Sequence, residues 1–365
     1  MRVLIVKVSS LGDVIHTLPA VTDAYRAKRG LTFDWVVEEG FTEIPRWHPA
    51  VDKVIPVAFR RWRKNLFKTW RSGEFSSFKK NLQEHHYDLV IDAQGLIKSG
   101  IISRISKGLT VGLSNRTIRE PMATLFYNVV YTVPWQQHAV ERIRDLFSRT
   151  FNYTVDYKTC DYGIDANRFM RSASAPAGEK YLVFFHGTTW PTKLWPNQYW
   201  QKLAQLAARD GYRVKLLWGN PEELQRAQAI AKAANNVDIL GQQSLTDIAR
   251  LLVGCQGVVA VDTGLGHLAA ALSVPVISLY GSSNAELTGT YGRRQLHLQS
   301  QLECAPCLQK NCSYKGEILM DEFDGKKFSV KPACFRSNPP ELVWDKFRFL
   351  LAGGLGSLDG LFYPG

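Results

Sequence analysis

The chain has 365 residues, of which 45% are hydrophobic and 21% charged; this is an ordinary globular composition, but the chain is too long for a typical single domain. Its 45 Lys and Arg exceed its 33 Asp and Glu, giving a net charge of +12, which favours an acidic partner such as a nucleic acid, an anionic membrane or a phosphorylated substrate. No stretch reaches the roughly 18–20 apolar residues of a membrane span, and the amino terminus lacks the features of a signal peptide. We therefore expect a soluble, cytoplasmic protein.

The first twenty residues are the most informative segment. An apolar, β-branched run at residues 3–8 ends at Ser9-Ser10-Leu11-Gly12, and a helical pattern follows over residues 14–28. This order predicts a strand, a tight turn and a helix with Asp13 in its first turn. Ligands bind at the carboxyl ends of parallel strands, and a carboxylate there repels phosphate, so we interpret Asp13 as a proton acceptor. The alternative is an ordinary first-turn acid that interacts favourably with the helix dipole.

Strand and helix patterns alternate through the rest of the first half. Strands are predicted at residues 33–38, 52–56, 89–92 and 111–113, and helices at 74–85 and 138–151. This alternation predicts βαβ units and a parallel sheet. A small-residue, proline-bearing stretch at 171–178 predicts a linker, and the first domain is placed at residues 1–168.

A dense basic segment, Arg60-Arg61-Trp62-Arg63-Lys64, lies within this first domain. Forked guanidinium groups bind phosphates and carboxylates, although a solvated basic loop is the alternative. The sequence contains no recognised nucleic-acid-binding motif, so we expect no nucleic-acid partner. The candidate anion-binding residues are Arg60, Arg61, Arg63, Lys64, Arg119, His138 and Arg142.

The alternating pattern restarts after the linker and predicts a second domain at residues 178–340. Strands are predicted at 181–185, 213–218, 237–240, 257–261 and 274–280, and helices at 198–210, 221–234, 244–253 and 266–272. A terminal helix at 341–351 and a glycine-rich tail complete residues 341–365. We expect two doubly wound domains that face each other across a cleft, where a ligand contacts both.

Two strand ends of the second domain carry candidate nucleotide-binding residues. Asp262-Thr263-Gly264-Leu265-Gly266-His267 opens a predicted helix, whose exposed N–H groups offer an anion site. Thr188, Thr189 and Lys193 suit the oxygens of a diphosphate, with Lys193 offsetting charge on a departing group. Glu223, early in a helix, suits a ribose hydroxyl. The alternatives are a turn capped by Asp262, a solvated loop and an ordinary first-turn acid.

Four of the six cysteines form the pattern Cys304-x2-Cys307-x4-Cys312-x21-Cys334 within residues 303–337. In a cytosolic chain this spacing favours a metal site over disulfides. A structural zinc, a thiol cluster without metal and a redox function all stay open.

Several strings closely resemble the ADP-heptose:lipopolysaccharide heptosyltransferase family. They are Ser9-Ser-Leu-Gly-Asp-Val-Ile-His-Thr-Leu-Pro-Ala20, Phe33-Asp-Trp-Val-Val-Glu-Glu-Gly40, Trp47-His-Pro-Ala-Val-Asp-Lys-Val-Ile-Pro56 and Val261-Asp-Thr-Gly-Leu-Gly-His267. The likeness runs from residue 1 to about residue 295. The amino-terminal half is similar to the type I enzymes, whereas the cysteine-bearing stretch is similar to type II members. Gly266 stands where the family pattern has a serine.

The resemblance implies a GT-B fold of two Rossmann-like domains and a metal-independent, inverting transfer of L-glycero-D-manno-heptose. The implied donor is ADP-heptose, and the acceptor is a Kdo sugar of Kdo-lipid A at the cytoplasmic face of the Gram-negative inner membrane. Asp13 would be the general base. The donor-binding residues would be Thr188, Thr189, Lys193, Glu223, Asp262, Thr263, Gly264 and His267, and the basic residues listed above would hold the acceptor. We expect a peripheral membrane protein, monomeric and without a catalytic cofactor.

Three other interpretations of the sequence stay open. A related heptosyltransferase, type II-like, or another ADP-sugar glycosyltransferase would use a different acceptor. An NAD-dependent oxidoreductase also has Rossmann-like halves, but the first turn here has one glycine and an acid where pyrophosphate would lie. A non-catalytic binder of anionic lipid or RNA explains the charge but gives Asp13 and the Asp262-Thr263-Gly264 string no role.

Overall fold

A computed structural model describes residues 1–170 and 179–354. The chain divides into two compact units, Met1–Asp165 and Ala166–Gly365. The predicted linker at 171–178 and most of the predicted glycine-rich tail lie outside the described residues.

The first unit contains one six-stranded parallel sheet with helices on both sides. Its elements are β1 Arg2–Val6, α1 Leu11–Ala27, β2 Thr32–Glu38, α2 Glu43–Arg46, β3 Val51–Val57, α3 Phe59–Trp62, α4 Leu66–Arg71, α5 Glu74–Leu82, β4 Leu89–Asp92, α6 Ile97–Ile105, β5 Leu109–Leu113, β6 Val129–Tyr131 and α7 Ala139–Phe151. The strand order is β3-β2-β1-β4-β5-β6. The chain runs outward from β1 to β3 and then places β4 on the other side of β1, which makes the carboxyl end of β1 a topological switch point.

Packing on both faces explains the continuous apolar strands of this unit. Leu4 and Val6 of β1 lie in a core cluster with residues of α5 and α6, while α7 packs along α1. The buried Arg144 of α7 binds Asp23 of α1, with Nε 2.6 Å from Oδ2. Since strands covered on both faces exclude water, they read as uninterrupted hydrophobic runs.

The second unit repeats this architecture. Its elements are α8 Asn167–Met170, β7 Tyr181–Phe185, α9 Asn197–Arg209, β8 Arg213–Leu216, α10 Pro221–Ala231, β9 Val237–Ile239, α11 Leu245–Gly254, β10 Gly257–Val261, α12 Gly264–Ala271, β11 Val276–Tyr280, α13 Ala285–Thr288, β12 Gln295–Gln299, β13 Met320–Phe323, β14 Lys326–Ser329 and α14 Pro340–Leu351. The parallel sheet has the order β12-β11-β10-β7-β8-β9, and β13 and β14 form an antiparallel hairpin. The switch point lies between β7 and β10.

Candidate active site

Asp13 lies where the sequence predicted, at the start of α1 just beyond β1. Its carboxylate Oδ2 accepts hydrogen bonds from the backbone N–H and the hydroxyl of Ser10, both at 2.7 Å, and the side chain stays partly exposed. These bonds fix the carboxylate at the helix start while other lone pairs remain open to a ligand. The switch point of the first sheet therefore presents an oriented carboxylate.

Two cationic side chains, Lys7 and Arg142, interact electrostatically with Asp13. The buried Lys7 donates from Nζ to the carbonyl oxygen of Ala93 at 2.7 Å; burial lowers its pKa, while the charge of Asp13 acts in the opposite direction. Arg142, whose guanidinium carbon lies 4.1 Å from the centre of the Trp135 ring, has its pKa lowered by burial, again opposed by Asp13. Lys7 and Trp135 were not predicted as site residues.

The loop after β4 supports the same corner of the sheet. Gln94 Oε1 accepts from the backbone N–H groups of Val8 and Ser9, both at 3.0 Å, so it fixes the turn that leads to Asp13. The buried Asp92 accepts from Tyr127 at 2.6 Å, and burial raises the pKa of this carboxyl group. Sequence reasoning missed both residues.

The predicted acceptor-binding residues occupy several environments. His138 is buried, and its Nδ1 accepts from the N–H of Val140 at 3.1 Å, which caps α7; its ring lies 5.7 Å from that of His16. Arg61 forms ion pairs with Glu39 and Glu74, at 3.1 Å and 2.7 Å, and hydrogen bonds to both carboxylates raise its pKa. Arg61 is itself exposed, as are Arg60, Arg63, Lys64 and Arg119.

In the second unit, the adjacent ends of β7 and β10 bring predicted donor residues together. The Thr188 hydroxyl donates to the carbonyl oxygen of Asp262 at 3.0 Å. Lys193 Nζ lies 2.6 Å from Asp262 Oδ2 and 4.6 Å from the centre of the Trp190 ring. The ammonium group is thus fixed at the carboxyl edge of the sheet, the edge at which open α/β sheets bind their ligands.

The start of α12 adjoins this ion pair. Thr263 is the N-cap residue of the helix and Gly264 its first residue, while His267 Nε2 lies 4.0 Å from Asp262 Oδ1. A Cβ atom added at Gly266 would lie 3.3 Å from the Cβ of Ala260, so glycine allows the helix to pack closely on β10. The helix N–H groups and the Lys193–Asp262 ion pair therefore lie together at this strand end.

Glu223 lies at the neighbouring end of β8. Its carboxylate Oε2 accepts from the N–H of Gly219 at 2.7 Å, and a Cβ atom at Gly187 would come within 2.7 Å of Glu223 Cδ. The glycine therefore permits Glu223 to approach the end of β7, close to Thr188. Thr189 is exposed in the same loop.

His186, which directly follows β7, is a buried titratable group that the sequence analysis did not select. Burial, with a smaller contribution from Arg226, lowers its pKa from 6.5 to about 4. Between about pH 6.5 and pH 4, the unfolded chain takes up a proton that folded His186 does not, so the free energy of unfolding falls as the pH falls. At pH 5 this one group accounts for a loss of about 2 kcal/mol.

We expect His186→Leu to lose less thermal stability than the wild type between pH 7.5 and pH 5. The measurement is Tm across that range by circular dichroism, with the exposed His86→Gln as the control that retains the wild-type drop. Equal decreases in Tm for His186→Leu and the wild type would show that another group causes the acid sensitivity.

The four patterned cysteines border one cavity of about 20 Å³. Cys334 is buried, and burial raises the pKa of its thiol to about 12. Across residues 1–170 and 179–354, however, no three His, Cys, Asp or Glu side chains adopt an arrangement that could hold a metal ion. The shared location of the thiols agrees with the spacing argument, but the zinc interpretation stays a prediction.

A larger cavity of about 660 Å³ opens between the start of α9 and the cysteine-bearing stretch. Pro191, Trp195, Tyr314 and Val330 are among its lining residues, and its charged lining residues are Arg226, Glu317 and Lys331. The predicted donor residues line the strand ends instead. Among the helices that the structure describes, none is long and apolar enough to cross a membrane.

The chain thus contains two Rossmann-like units, each with candidate ligand-binding residues at a switch point. The family model for glycosyltransferase family 9 (heptosyltransferase) matches residues 75–318. Lipopolysaccharide heptosyltransferase 1 of Pseudomonas aeruginosa is 52% identical over 357 residues, covering 96% of this chain and 99% of that protein. The Escherichia coli K12 enzyme of the same name is 50% identical and covers 81% of this chain and 92% of its own length.

A solved structure agrees with these sequence matches. The structure of E. coli heptosyltransferase WaaC with ADP superposes with a TM-score of 0.76 at 48% identity, covering 81% of this chain and 92% of that one. The chain therefore belongs to glycosyltransferase family 9, the heptosyltransferases. It is a glycosyltransferase that transfers heptose in the synthesis of the lipopolysaccharide inner core, and the predicted α/β fold of two Rossmann-like domains is confirmed.

Proposed function

We propose that this enzyme transfers heptose from ADP-heptose to a Kdo sugar of Kdo-lipid A, with Asp13 as the general base. The carboxylate held by Ser10 at the first switch point carries this proposal. A carboxylate can act as a general base. This one lies at the carboxyl edge of the sheet, where ligands of this fold bind. ADP-heptose is the donor; an E. coli relative was solved with ADP-2-deoxy-2-fluoro heptose.

In the proposed reaction, an acceptor hydroxyl oxygen attacks the anomeric carbon of heptose while Asp13 takes the hydroxyl proton. The bond from that carbon to the diphosphate oxygen breaks, and its electron pair leaves with ADP. Attack from the face opposite the leaving group inverts the anomeric configuration. A base acting in concert with attack contributes roughly 10²–10⁴-fold to the rate.

The second unit supplies charge compensation for the leaving group. Lys193 is held by Asp262 and Trp190, and the first N–H groups of α12 lie beside it. Together with the Thr188 and Thr189 hydroxyls, these donors suit a diphosphate. Glu223 suits the ribose hydroxyls. Because cationic and N–H groups fill this role, we propose that transfer requires no metal ion.

The basic surface of the first unit is proposed to hold the phosphates and carboxylates of the acceptor. Arg60, Arg63, Lys64 and Arg119 are exposed and available for direct contact. Arg142 extends them towards Asp13, and His138 shapes the start of α7. Arg61 joins them if an acceptor anion displaces its carboxylate partners. We place the enzyme as a monomer on the cytoplasmic face of the inner membrane, with no nucleic-acid partner.

To identify the acceptor, ADP release from ADP-heptose is measured with Kdo-lipid A and with Kdo-lipid A that already carries one heptose. Each assay is repeated in EDTA to test for a metal requirement. We expect release that depends on Kdo-lipid A and is unchanged by EDTA. Release only with the heptosylated acceptor would favour the type II-like alternative. Loss of release in EDTA would contradict metal-independent transfer.

A further inference from the structure

Helix α6 exposes apolar side chains on the face turned away from the core. Ile97 and Ile101, four residues apart, lie on one face and are both exposed. The neighbouring residues Ser99, Gly100 and Ile102 of the same helix are buried. A helix that follows a central strand normally buries its isoleucines, so this exposed pair calls for an explanation.

A short 3₁₀ helix, Pro121–Phe126, continues the same exposed surface. Its Met122 is 64% exposed and its Leu125 76% exposed. It packs directly against α6, because a Cβ atom at Gly100 would lie 2.6 Å from Phe126 Cδ2. Gly100 borders the face of α6 that holds the exposed isoleucines. We call Ile97, Ile101, Met122 and Leu125 the apolar ridge.

Positive charge surrounds the apolar ridge. Residues 60–120 contain 13 Lys and Arg against five Asp and Glu, so this stretch carries eight of the chain's net twelve positive charges. Lys98 Nζ lies 5.4 Å from the centre of the Phe59 ring, which joins α6 to the basic segment at α3. Arg104, Lys107, Arg116 and Arg119 are exposed on or near the elements that form the ridge.

The ridge also lies close to the predicted catalytic corner. The loop from β4 to α6 contains Gln94, which binds the backbone of Val8 and Ser9 just before Asp13. At the start of α6, the N–H of Ile97 donates to Glu120 Oε2 at 2.7 Å, which ties the helix to the segment before Met122. A surface bound by the ridge would therefore lie at the edge of the sheet that carries Asp13.

We infer that the apolar ridge inserts into the headgroup region of an anionic lipid bilayer. Exposed aliphatic side chains flanked by lysine and arginine are the pattern of interfacial binding, because the apolar groups leave water while the cations meet anionic lipids. A second copy of this chain fits less well, since it would bring two strongly positive surfaces together. This inference rests on the proposed function, in which the acceptor, Kdo-lipid A, is anchored in the membrane.

The test is flotation of the full-length enzyme with vesicles of phosphatidylethanolamine and phosphatidylglycerol, compared with phosphatidylcholine vesicles. Leu125→Asp should reduce partitioning onto the anionic vesicles at least about tenfold. Ile318→Asp is the matched control, since Ile318 is 74% exposed but lies in the second unit, and it should partition like the wild type. Met122→Ser provides a milder second variant should Leu125→Asp lower Tm.

Unchanged partitioning of both ridge variants would overturn the inference, as would equal loss with Ile318→Asp. Gel filtration over a range of concentrations tests whether a second copy of this chain binds the ridge instead. A wild-type dimer that Leu125→Asp dissociates would assign the ridge to self-association. A deacylated, water-soluble Kdo acceptor separates this inference from the proposed function. Leu125→Asp should transfer heptose to that soluble acceptor at the wild-type rate. If the wild type bound vesicles but transferred heptose to neither acceptor, the proposed function would be refuted and the membrane inference would stand.

Discussion

Asp13→Asn is expected to lower kcat for heptose transfer by at least ~100-fold, within the 10²–10⁴ range of general-base catalysis. Asparagine keeps the size of the side chain and an oxygen that accepts from the Ser10 N–H, so the start of α1 is retained. It cannot take the proton of the acceptor hydroxyl. Initial rates of ADP release at saturating substrates measure the effect, and KM for ADP-heptose should change little because Asp13 is proposed to act on the acceptor.

A matched control for Asp13 exists in the second unit. Asp247 is the first-turn acid of α11 and binds its N-cap residue, Ser244, through a hydroxyl hydrogen bond of 2.6 Å. Asp247→Asn therefore removes a first-turn carboxylate that bonds its N-cap residue in the same way, together with its 2.6 Å contact to Arg250. We expect it to leave kcat unchanged. Full activity in Asp13→Asn would assign Asp13 the same purely structural role.

Most strands of the two sheets could be predicted from sequence, including the edge strands β3 and β9, whose bounds lie within one residue of the prediction. β1, β4, β7 and β10 are continuous apolar runs, and the structure places each within two residues of the predicted bounds at either end. β12, Gln-Leu-His-Leu-Gln, was missed because it is an edge strand whose polar residues alternate with leucine. The β13–β14 hairpin was not predicted, since its four-residue strands are rich in charge.

Some candidate site residues can be identified from a short local motif, whereas others depend on contacts between distant parts of the chain. Asp13 and the Asp262–His267 string could be selected because each is a short motif at a strand end. Gln94 could not, since its contacts join residues far apart in the chain: Gln94 binds Val8 from 86 residues away. Lys7 carried a usable signal, because a lysine within a buried strand requires a partner.

Lys193→Met should reduce kcat by about 10²–10³-fold, the loss typical of removing one group that stabilises charge in the transition state. Negative charge on the diphosphate grows as the bond to the anomeric carbon breaks, so the ammonium group contributes more there than in the ground state. The substitution also leaves the buried Asp262 carboxylate without its 2.6 Å partner, which lowers stability. Steady-state rates of ADP release and Tm are measured together.

Two further variants separate chemistry from folding. In Lys193→Met/Asp262→Asn the unpaired charge is gone, so Tm should recover while kcat stays low. Lys215→Met is the matched control, because Lys215 binds Glu179 at 2.9 Å, lies 4.5 Å from the Tyr181 ring centre and is 14% exposed against 19% for Lys193. It should lose stability without losing kcat. If the double variant regained kcat along with Tm, Lys193 would serve only to neutralise Asp262, and the charge of the leaving diphosphate would have to be met by the N–H groups of α12 and the hydroxyls beside them.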